Sequence, residues 1–289
     1  MLLRVSEAVR VTGIPRVLAS GGVFMNVKAN KLIGELPEVE HFDVFPSCGD
    51  ESLPFGAAWL NEIEHAPEAI GPRALRTYSL GPDAGADLDE ARSRYGDRIE
   101  IQQLADPQAA CAELLAAGEI VARCSGPMEF GARALGNRSI LADPSNADVV
   151  PVINRMIKQR DFWMPFAPAI LEEHAADYLV LRPTLAPDDP SPFMMHTFET
   201  TARRDEIVAG IHPHDATARP QIVSSDSSPA FHRVIEAFER LTGRGAVLNT
   251  SFNLHGFPIV LGACDAVDVM LRSSLEKLVV DDVLITKRR

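Results

Sequence analysis

Basic residues are in short supply in this chain: 28 lysines and arginines stand against 40 aspartates and glutamates, a formal charge of −12. Gripping a nucleic-acid backbone depends on a net positive footprint, so no nucleic-acid partner is expected. Cysteine is sparse too. Cys48, Cys111, Cys124 and Cys264 are scattered with no CxxC pair, which excludes a structural zinc site of that kind and fits a reducing compartment. No apolar run is long enough to cross a bilayer, and the opening MLLRVSEAVRVTG has no apolar segment followed by small residues. A soluble, cytoplasmic protein with no membrane partner is therefore expected. Aromatics make up only 6% of the residues, so Phe162, Trp163 and Phe166 are expected as core or pocket wall rather than as a stacking platform. What is present is an ordinary 46% of hydrophobic residues over 289 positions, enough for two domains or one large one.

Against the acidic background one stretch stands out. Arg123 to Arg160 holds six basic residues (Arg123, Arg133, Arg138, Arg155, Lys158 and Arg160) and three acidic ones (Glu129, Asp143 and Asp148). Within it, SGPMEFGARALGNRSILADP (Ser125 to Pro144) follows an apolar run, EIVARC, that reads as a strand. Two arginines five residues apart, with Gly136 and Asn137 between them, can wrap forked guanidinium donors around one phosphate or carboxylate. Solvated or surface-paired arginines would show the same spacing.

The rest of the chain alternates strands and helices, which points to an α/β protein. Residues 1 to 65 read as helix, strand (15–20), glycine turn, helix (23–36), strand (41–45) and helix (52–64). Gly21 and Gly22 sit where a strand opens into a helix, a place where backbone can approach a ligand or simply turn. Residues 66 to 105, punctuated by prolines and glycines, read as a linker with an acidic helix and an apolar alternation at 99–104. A second domain is expected from 106 to 289. Asp106 and Pro107 open its first helix, an N-cap and first-turn pair. Ser145 with Asp148 resembles a capping box, Phe193 to Phe198 reads as a strand, and Asp265 is expected to cap a later helix. In HPHDATARPQIV, His212 and His214 are spaced for a metal from a strand or are a solvated pair. NTSFN (Asn249 to Asn253) ends a strand, where hydroxyl, amide and N–H groups can cradle a phosphate or merely make a loop.

Three of these segments together resemble the O-carbamoyltransferases of antibiotic and nodulation-factor biosynthesis. The family's GxxEFGPRALGxRSIL pattern is matched by Gly126, Glu129, Phe130, Gly131, Arg133, Ala134, Leu135, Gly136, Arg138, Ser139, Ile140 and Leu141, with Ala132 in place of its proline. Its HxDGTARxQ segment is matched by Asp215, Thr217, Ala218, Arg219 and Gln221, with His214 displaced by one position and Ala216 in place of glycine. Its NTSFNxxGEPIV is matched from Asn249, with Phe257 in place of glutamate. ASGGVFMNVKANKLI (Ala19 to Ile33) followed by VFPSCGDESLPFGAAWL (Val44 to Leu60) resembles the end of the same family's first domain.

The resemblance implies a partial actin/hexokinase-like (ASKHA) subdomain followed by a YrdC-like α/β domain. It implies a carbamoyltransferase that forms carbamoyl adenylate from carbamoyl phosphate and ATP with Mg2+, then passes the carbamoyl group to a hydroxyl of a small acceptor. Arg133, Arg138, Lys158, Arg160 and Arg219 are the expected anion donors. Ser139, Asn249, Thr250, Ser251 and Asn253 are expected around the nucleotide in the second domain, and Gly21, Gly22 and Asn26 in the first. Asp50 matches a ligand of Fe2+ or another divalent metal, while its residue type allows a helix N-cap as well. The family's HxxxH pair is missing, and so are the strands that would precede Met1. The expectation is thus the second half of a longer enzyme with an incomplete metal site, a missing N-terminal half as partner, and a tendency to self-associate. The departures at Ala132, Ala216 and Phe257 motivate a competing reading, a nucleotide- or anion-binding remnant or subunit that does not turn substrate over. A role in making threonylcarbamoyl adenylate for tRNA is disfavoured by the acidic balance.

Overall fold

The computed structural model describes residues 1–69, 77–158, 165–182 and 191–288. The first unit contains α1 (Leu2–Thr12), β1 (Arg16–Ala19), α2 (Val27–Gly34), β2 (His41–Val44) and α3 (Leu53–His65). α1 ends at Gly13, whose φ of 68° lets its N–H turn back to the Val9 carbonyl. α2 starts at Asn26, whose Oδ1 accepts from the Ala29 N–H at 3.1 Å. β1 and β2 pair in parallel, Val17 opposite Phe42 and Ala19 opposite Val44. Their inward side chains form a small core with Val9, Ile33 and Cys48, which Met195 enters from the second unit.

The second unit is built on one mixed sheet. Its strands in chain order are β3 (Ser79–Asp83), β4 (Ile99–Gln103), β5 (Val121–Cys124), β6 (Pro127–Glu129), β7 (Arg138–Ala142), β8 (Ala167–Leu171), β9 (Phe198–Glu199), β10 (Thr217–Ala218), β11 (Gln221–Val223), β12 (Ala246–Ser251), β13 (Lys277–Val280) and β14 (Val283–Lys287). Its helices are α4 (Leu88–Tyr95), α5 (Pro107–Ala116), α6 (Val149–Ile153), α7 (Ala175–Tyr178), α8 (Pro229–Thr242) and α9 (Ala263–Leu271). The eight-stranded sheet runs β11-β8-β12-β7-β5-β13-β14-β4, and β3 with β6, and β9 with β10, form small ribbons beside it. Strands β5, β7 and β8 are buried along their whole length, because helices cover both faces. Alternate residues sort the cores. Val121, Leu141 and Val247 meet α5 and α8 through Leu115, Phe231, Val234 and Phe238. Ala122, Ile140 and Leu248 face the other way, toward α4 and α9 through Ala91, Tyr95, Val267 and Met270.

Three expectations change. The segment 66–105 is not a bare linker: β4 is the edge strand of the large sheet, paired with β14 from Gln103 opposite Val283 onward, and α4 packs in its core. Asp265 does not cap α9. That role falls to Asp87, whose carboxylate accepts from Ala263 N at 2.6 Å and Cys264 N at 3.0 Å, while Asp265 accepts from Leu261 N. The strand expected at 193–198 is reduced to β9 at its end. Among the described residues no helix is long and apolar enough to cross a membrane.

Candidate functional site

The loop between β6 and β7, Phe130 to Asn137, is wrapped around a carboxylate. Glu129 is 4% exposed, and its Oε1 accepts from the N–H groups of Leu135 (2.7 Å), Asn137 (2.7 Å) and Arg138 (3.1 Å). The Gly136 N–H goes to Ser139 Oγ at 3.0 Å. The carbonyls of the same residues are taken in turn by side chains. Asn249 Nδ2 donates to Ala134 O (3.1 Å), Gln221 Nε2 to Leu135 O (2.8 Å), Arg123 to Gly136 O, and Arg138 Nη1 to Asn137 O (3.1 Å). Asn249 and Gln221 also bond each other at 2.9 Å. Thus the three sequence segments that carry the family resemblance meet on four consecutive peptide groups. Gly136 is required here: its φ is 113°, and a Cβ would lie 2.3 Å from the Phe231 ring.

Arg138 is placed differently from its expected role as an anion donor. It is fully buried, and its guanidinium donates to the carbonyls of Leu261 (2.8 Å), Gly126 (3.0 Å), Pro82 (3.1 Å), Asn137 (3.1 Å) and Ser125 (3.3 Å). A planar fork with several N–H donors suits a clamp on several strand ends, and an anion could reach it only by breaking that clamp. Ser139 and Asn249, 0% and 1% exposed, are likewise braces of the loop. Thr250 is buried in β12 opposite Ile140. Ser251 Oγ donates to Asn253 Oδ1 at 2.7 Å, and Asn253 Nδ2 reaches Leu254 O and Phe257 O, which holds the turn after β12.

Arg133 lies on the side of the loop that faces the first unit. It lines a narrow crevice with Met25, Pro46 and Ser47 of that unit and Phe130 and Phe193 of the second. Burial pushes the Cys48 thiol above its ordinary value, Glu51 adds to this, and Arg133 pulls against it, so the guanidinium acts across the junction. Gly131, φ 100°, allows that approach, since a Cβ there would meet Ser47 Oγ at 2.4 Å. Arg219, half-buried, sits between β10 and β11. Lys158 ends the helical turn after α6, and Arg160 lies outside the described residues.

In the first unit Gly21 and Gly22 form an exposed turn and Asn26 serves as the cap of α2. Asp50 is exposed at the start of a short turn and makes no side-chain cap. Among the described residues no group of three or more His, Cys, Asp or Glu side chains is arranged to hold a metal ion, so Asp50 has no companions for the metal expected there. The pair His212 and His214 is used locally: His212 Nδ1 lies 3.3 Å from the Asp215 carboxylate and from the His214 N–H.

The three departures from the family pattern leave the backbone in place. Ala132 is exposed. Ala216 has a φ of 53°, the left-handed conformation for which glycine is suited, and keeps it at a cost in strain. Phe257 is half-exposed and lies under the Arg272 guanidinium, 5.2 Å from ring centroid to cation. Two contributors were missed in the sequence. Arg123 is 3% exposed in a strand buried at every position, and the oddity of a charge inside EIVARC was the available signal. Lys28 of α2 pairs with Asp215 and bonds Thr217 Oγ1 at 2.5 Å, tying the first unit to the HPHDATAR segment; a lone lysine on a helix gives no such signal.

The α/β scaffold thus commits much of its buried polarity to holding one arginine-bearing loop. The family whose description reads "Carbamoyltransferase C-terminus" matches residues 112–287. The chain belongs to this carbamoyltransferase family. It is 36% identical over 282 residues to the nodulation protein NolNO of Sinorhizobium fredii (strain NBRC 101917 / NGR234), covering 96% of this chain and 41% of that protein. It is 35% identical over 286 residues to the nodulation protein NolO of Bradyrhizobium diazoefficiens, covering 96% and 50%. With nodulation protein U of Sinorhizobium fredii it shares 31% over 257 residues, 88% of this chain and 43% of that one. The chain thus spans about half the length of the curated relatives it matches. Full-length HypF in its phosphate- and nucleotide-bound form aligns at a TM-score of 0.41 and 13% identity over 66% of this chain and 22% of that one, a likeness too loose to carry an argument.

Proposed function

We propose that the second unit forms carbamoyl adenylate from carbamoyl phosphate, ATP and one water: water cleaves carbamoyl phosphate to carbamate and phosphate, the carbamate oxygen then bonds the α-phosphorus of ATP as its bond to pyrophosphate breaks, and the carbamoyl group finally goes to a hydroxyl of a small acceptor with AMP as the leaving group. In this reading the unit is a YrdC-like domain and residues 1 to 65 are part of an actin/hexokinase-like one. The observation that carries it is the loop around Glu129. Its N–H groups from Leu135 to Arg138 and its carbonyls from Ala134 to Asn137 are all engaged by protein groups, so its shape is set before any substrate arrives. Adenylation concentrates negative charge and builds more as pyrophosphate leaves. Donors fixed in advance stabilise that charge without reorganising at the moment of reaction.

Arg133, Arg219 and Lys158 are the groups for direct contact with phosphate oxygens, with Ser251 and Asn253 at the adenylate phosphate. Arg123 and Arg138 act from behind the loop, as buried positive charge with Glu129 as the counter-charge. Magnesium would accompany the nucleotide, and no step is assigned to a metal in the first unit, where Asp50 stands alone. The reading as an inactive remnant rested on Ala132, Ala216 and Phe257. It is weakened because two of these are exposed and the third holds a glycine-like backbone.

The test is carbamoyl-phosphate-dependent exchange of labelled pyrophosphate into ATP. Exchange by the chain, falling about 100-fold or more in Arg133→Ala with an unchanged melting temperature, is the expected result. Nucleotide binding with no exchange would return the remnant reading, and exchange indifferent to Arg133→Ala would displace that residue from the site.

A further inference from the structure

α2 has eight residues, and three of them reach into the second unit. Asn30 is fully buried, and its Nδ2 donates to Met195 O at 2.9 Å as well as to Phe24 O at 2.8 Å. Lys31 Nζ pairs with Glu199 of β9 at 2.7 Å, and the Lys31 carbonyl accepts from Arg182 Nη1 at 3.0 Å. Lys28 Nζ donates to Asp215 Oδ2 and to Thr217 Oγ1. Thr217 closes a ring of three side chains: its Oγ1 donates to Asp215 Oδ1 at 2.8 Å, and its N–H to the same oxygen at 3.2 Å. Burial works against the charge on Asp215, yet the bonds from Lys28 and Thr217 hold its carboxyl below the usual carboxylate range.

This ring stands immediately before Arg219. Thr217 and Ala218 form β10, 3% and 1% exposed, with Thr217 opposite Glu199. On the other side of Arg219, Gln221 donates to Leu135 O at 2.8 Å and accepts from Asn249 Nδ2 at 2.9 Å. Arg219 is therefore strung between an anchor on the first unit and an anchor on the loop around Glu129. Pro220 has a fixed φ and restricts Arg219 before it to an extended backbone, so the direction of this guanidinium is set while both anchors hold. The Lys28 and Asp215 side chains are 38% and 37% exposed, and so open an ion pair adds little to overall stability. Its effect is on position.

We propose that Lys28 is a positioning residue for anion binding in the second unit: through Asp215 and Thr217 it fixes the segment from β10 to β11 so that Arg219 meets phosphate oxygens. The role given to Arg219 rests on the adenylation reading; the anchoring of the segment does not.

Inorganic pyrophosphate, titrated calorimetrically into the full chain, is the probe. Lys28→Met keeps the aliphatic stem and removes the ammonium, and should weaken pyrophosphate about tenfold with an unchanged melting temperature. Lys28→Arg, whose forked donors serve both acceptors, should recover affinity to within about threefold of the parent. Arg240→Met, which removes one charge from the exposed side of α8, should bind like the parent. In an Arg219→Ala background the further loss from Lys28→Met should be less than about threefold, because the group being aimed is gone. Hydrogen exchange of the His212, Ala216 and Thr217 amides, all bonded within the segment, should quicken in Lys28→Met. The full loss persisting in the Arg219→Ala background would overturn the proposal, as would unchanged affinity or unchanged exchange in Lys28→Met, or an equal loss in Arg240→Met. The expected pattern of binding without carbamoyl-phosphate-dependent exchange into ATP would sink the adenylation reading alone. A parent that binds no pyrophosphate would overturn the anion role of Arg219 and this proposal with it.

Discussion

The two units handle polarity in opposite ways. Around the large sheet, charge is buried and apolar surface hidden: Arg123, Glu129 and Arg138 are all below 5% exposed, and β5 and β7, which carry the two arginines, are closed on both faces. In residues 1 to 65 the helix α3 keeps no residue buried, and leucines and valines face solvent. Burying an ion without compensation is expensive, so a core that holds two guanidiniums and a carboxylate ties them to many fixed partners and is rigid for that reason: three N–H groups converge on Glu129 Oε1, although its Oε2 is buried with no hydrogen-bond partner. The exposed unit carries no such constraint. What it lacks is area to cover its own apolar side chains.

The largest effect that would break this contrast is at Glu129. Glu129→Leu leaves three main-chain N–H groups without their acceptor and the two arginines without their counter-charge. A loss of roughly 3–5 kcal/mol is expected from the urea midpoint. Glu129→Gln keeps one oxygen for the three donors and should lose much less, and equal losses would show that the loop is not organised by the acceptor.

A second effect sharpens the junction between the units. His196, 4% exposed, packs edge-on against Phe42 of β2, and burial, with Arg182 and His41 adding, pushes its pKa down to about 4. The unfolded chain takes up this proton near pH 6.5 and the folded chain only near pH 4. The contribution is therefore complete above pH 6.5 and is lost as pH falls from 6.5 toward 4, by roughly 3 kcal/mol in all. His196→Gln should flatten that part of the stability-versus-pH curve relative to the parent; parallel curves would refute the assignment.

The smallest effect is at Ala216. Ala216→Gly relieves a left-handed backbone at the cost of a more flexible unfolded chain, for a net gain of about 1 kcal/mol or less, read as a small rise in melting temperature. A fall would mean that the loop tolerates alanine without strain.

Much of this was legible in the residues. The alternation of strands and helices, the helix opened by Asp106 and Pro107, and the loop before Arg138 follow local rules of periodicity, capping and glycine placement, and they stand where those rules put them. The direction of a guanidinium is not local. Arg133 and Arg138 look alike in a motif, yet Arg138 opens β7 and is turned inward by carbonyls from three other stretches, the farthest at Leu261. The cap that Asp87 gives to α9 and the pairing of β4 with β14 join residues more than half a chain apart, so neither leaves a trace in its neighbours.

The strand order also sets a timetable for folding. β12 lies between β8 and β7, and β13 beside β5, so the middle of the large sheet waits for residues 246 to 280 to leave the ribosome, and its β4 edge waits for β14. Such non-local pairing is slow to form, because loop closure must precede the contacts that reward it. The first unit needs only neighbouring segments for most of its core, so during synthesis it takes shape while the large sheet is still incomplete. The exposed face of α3 therefore stands in water before the arginine loop has folded.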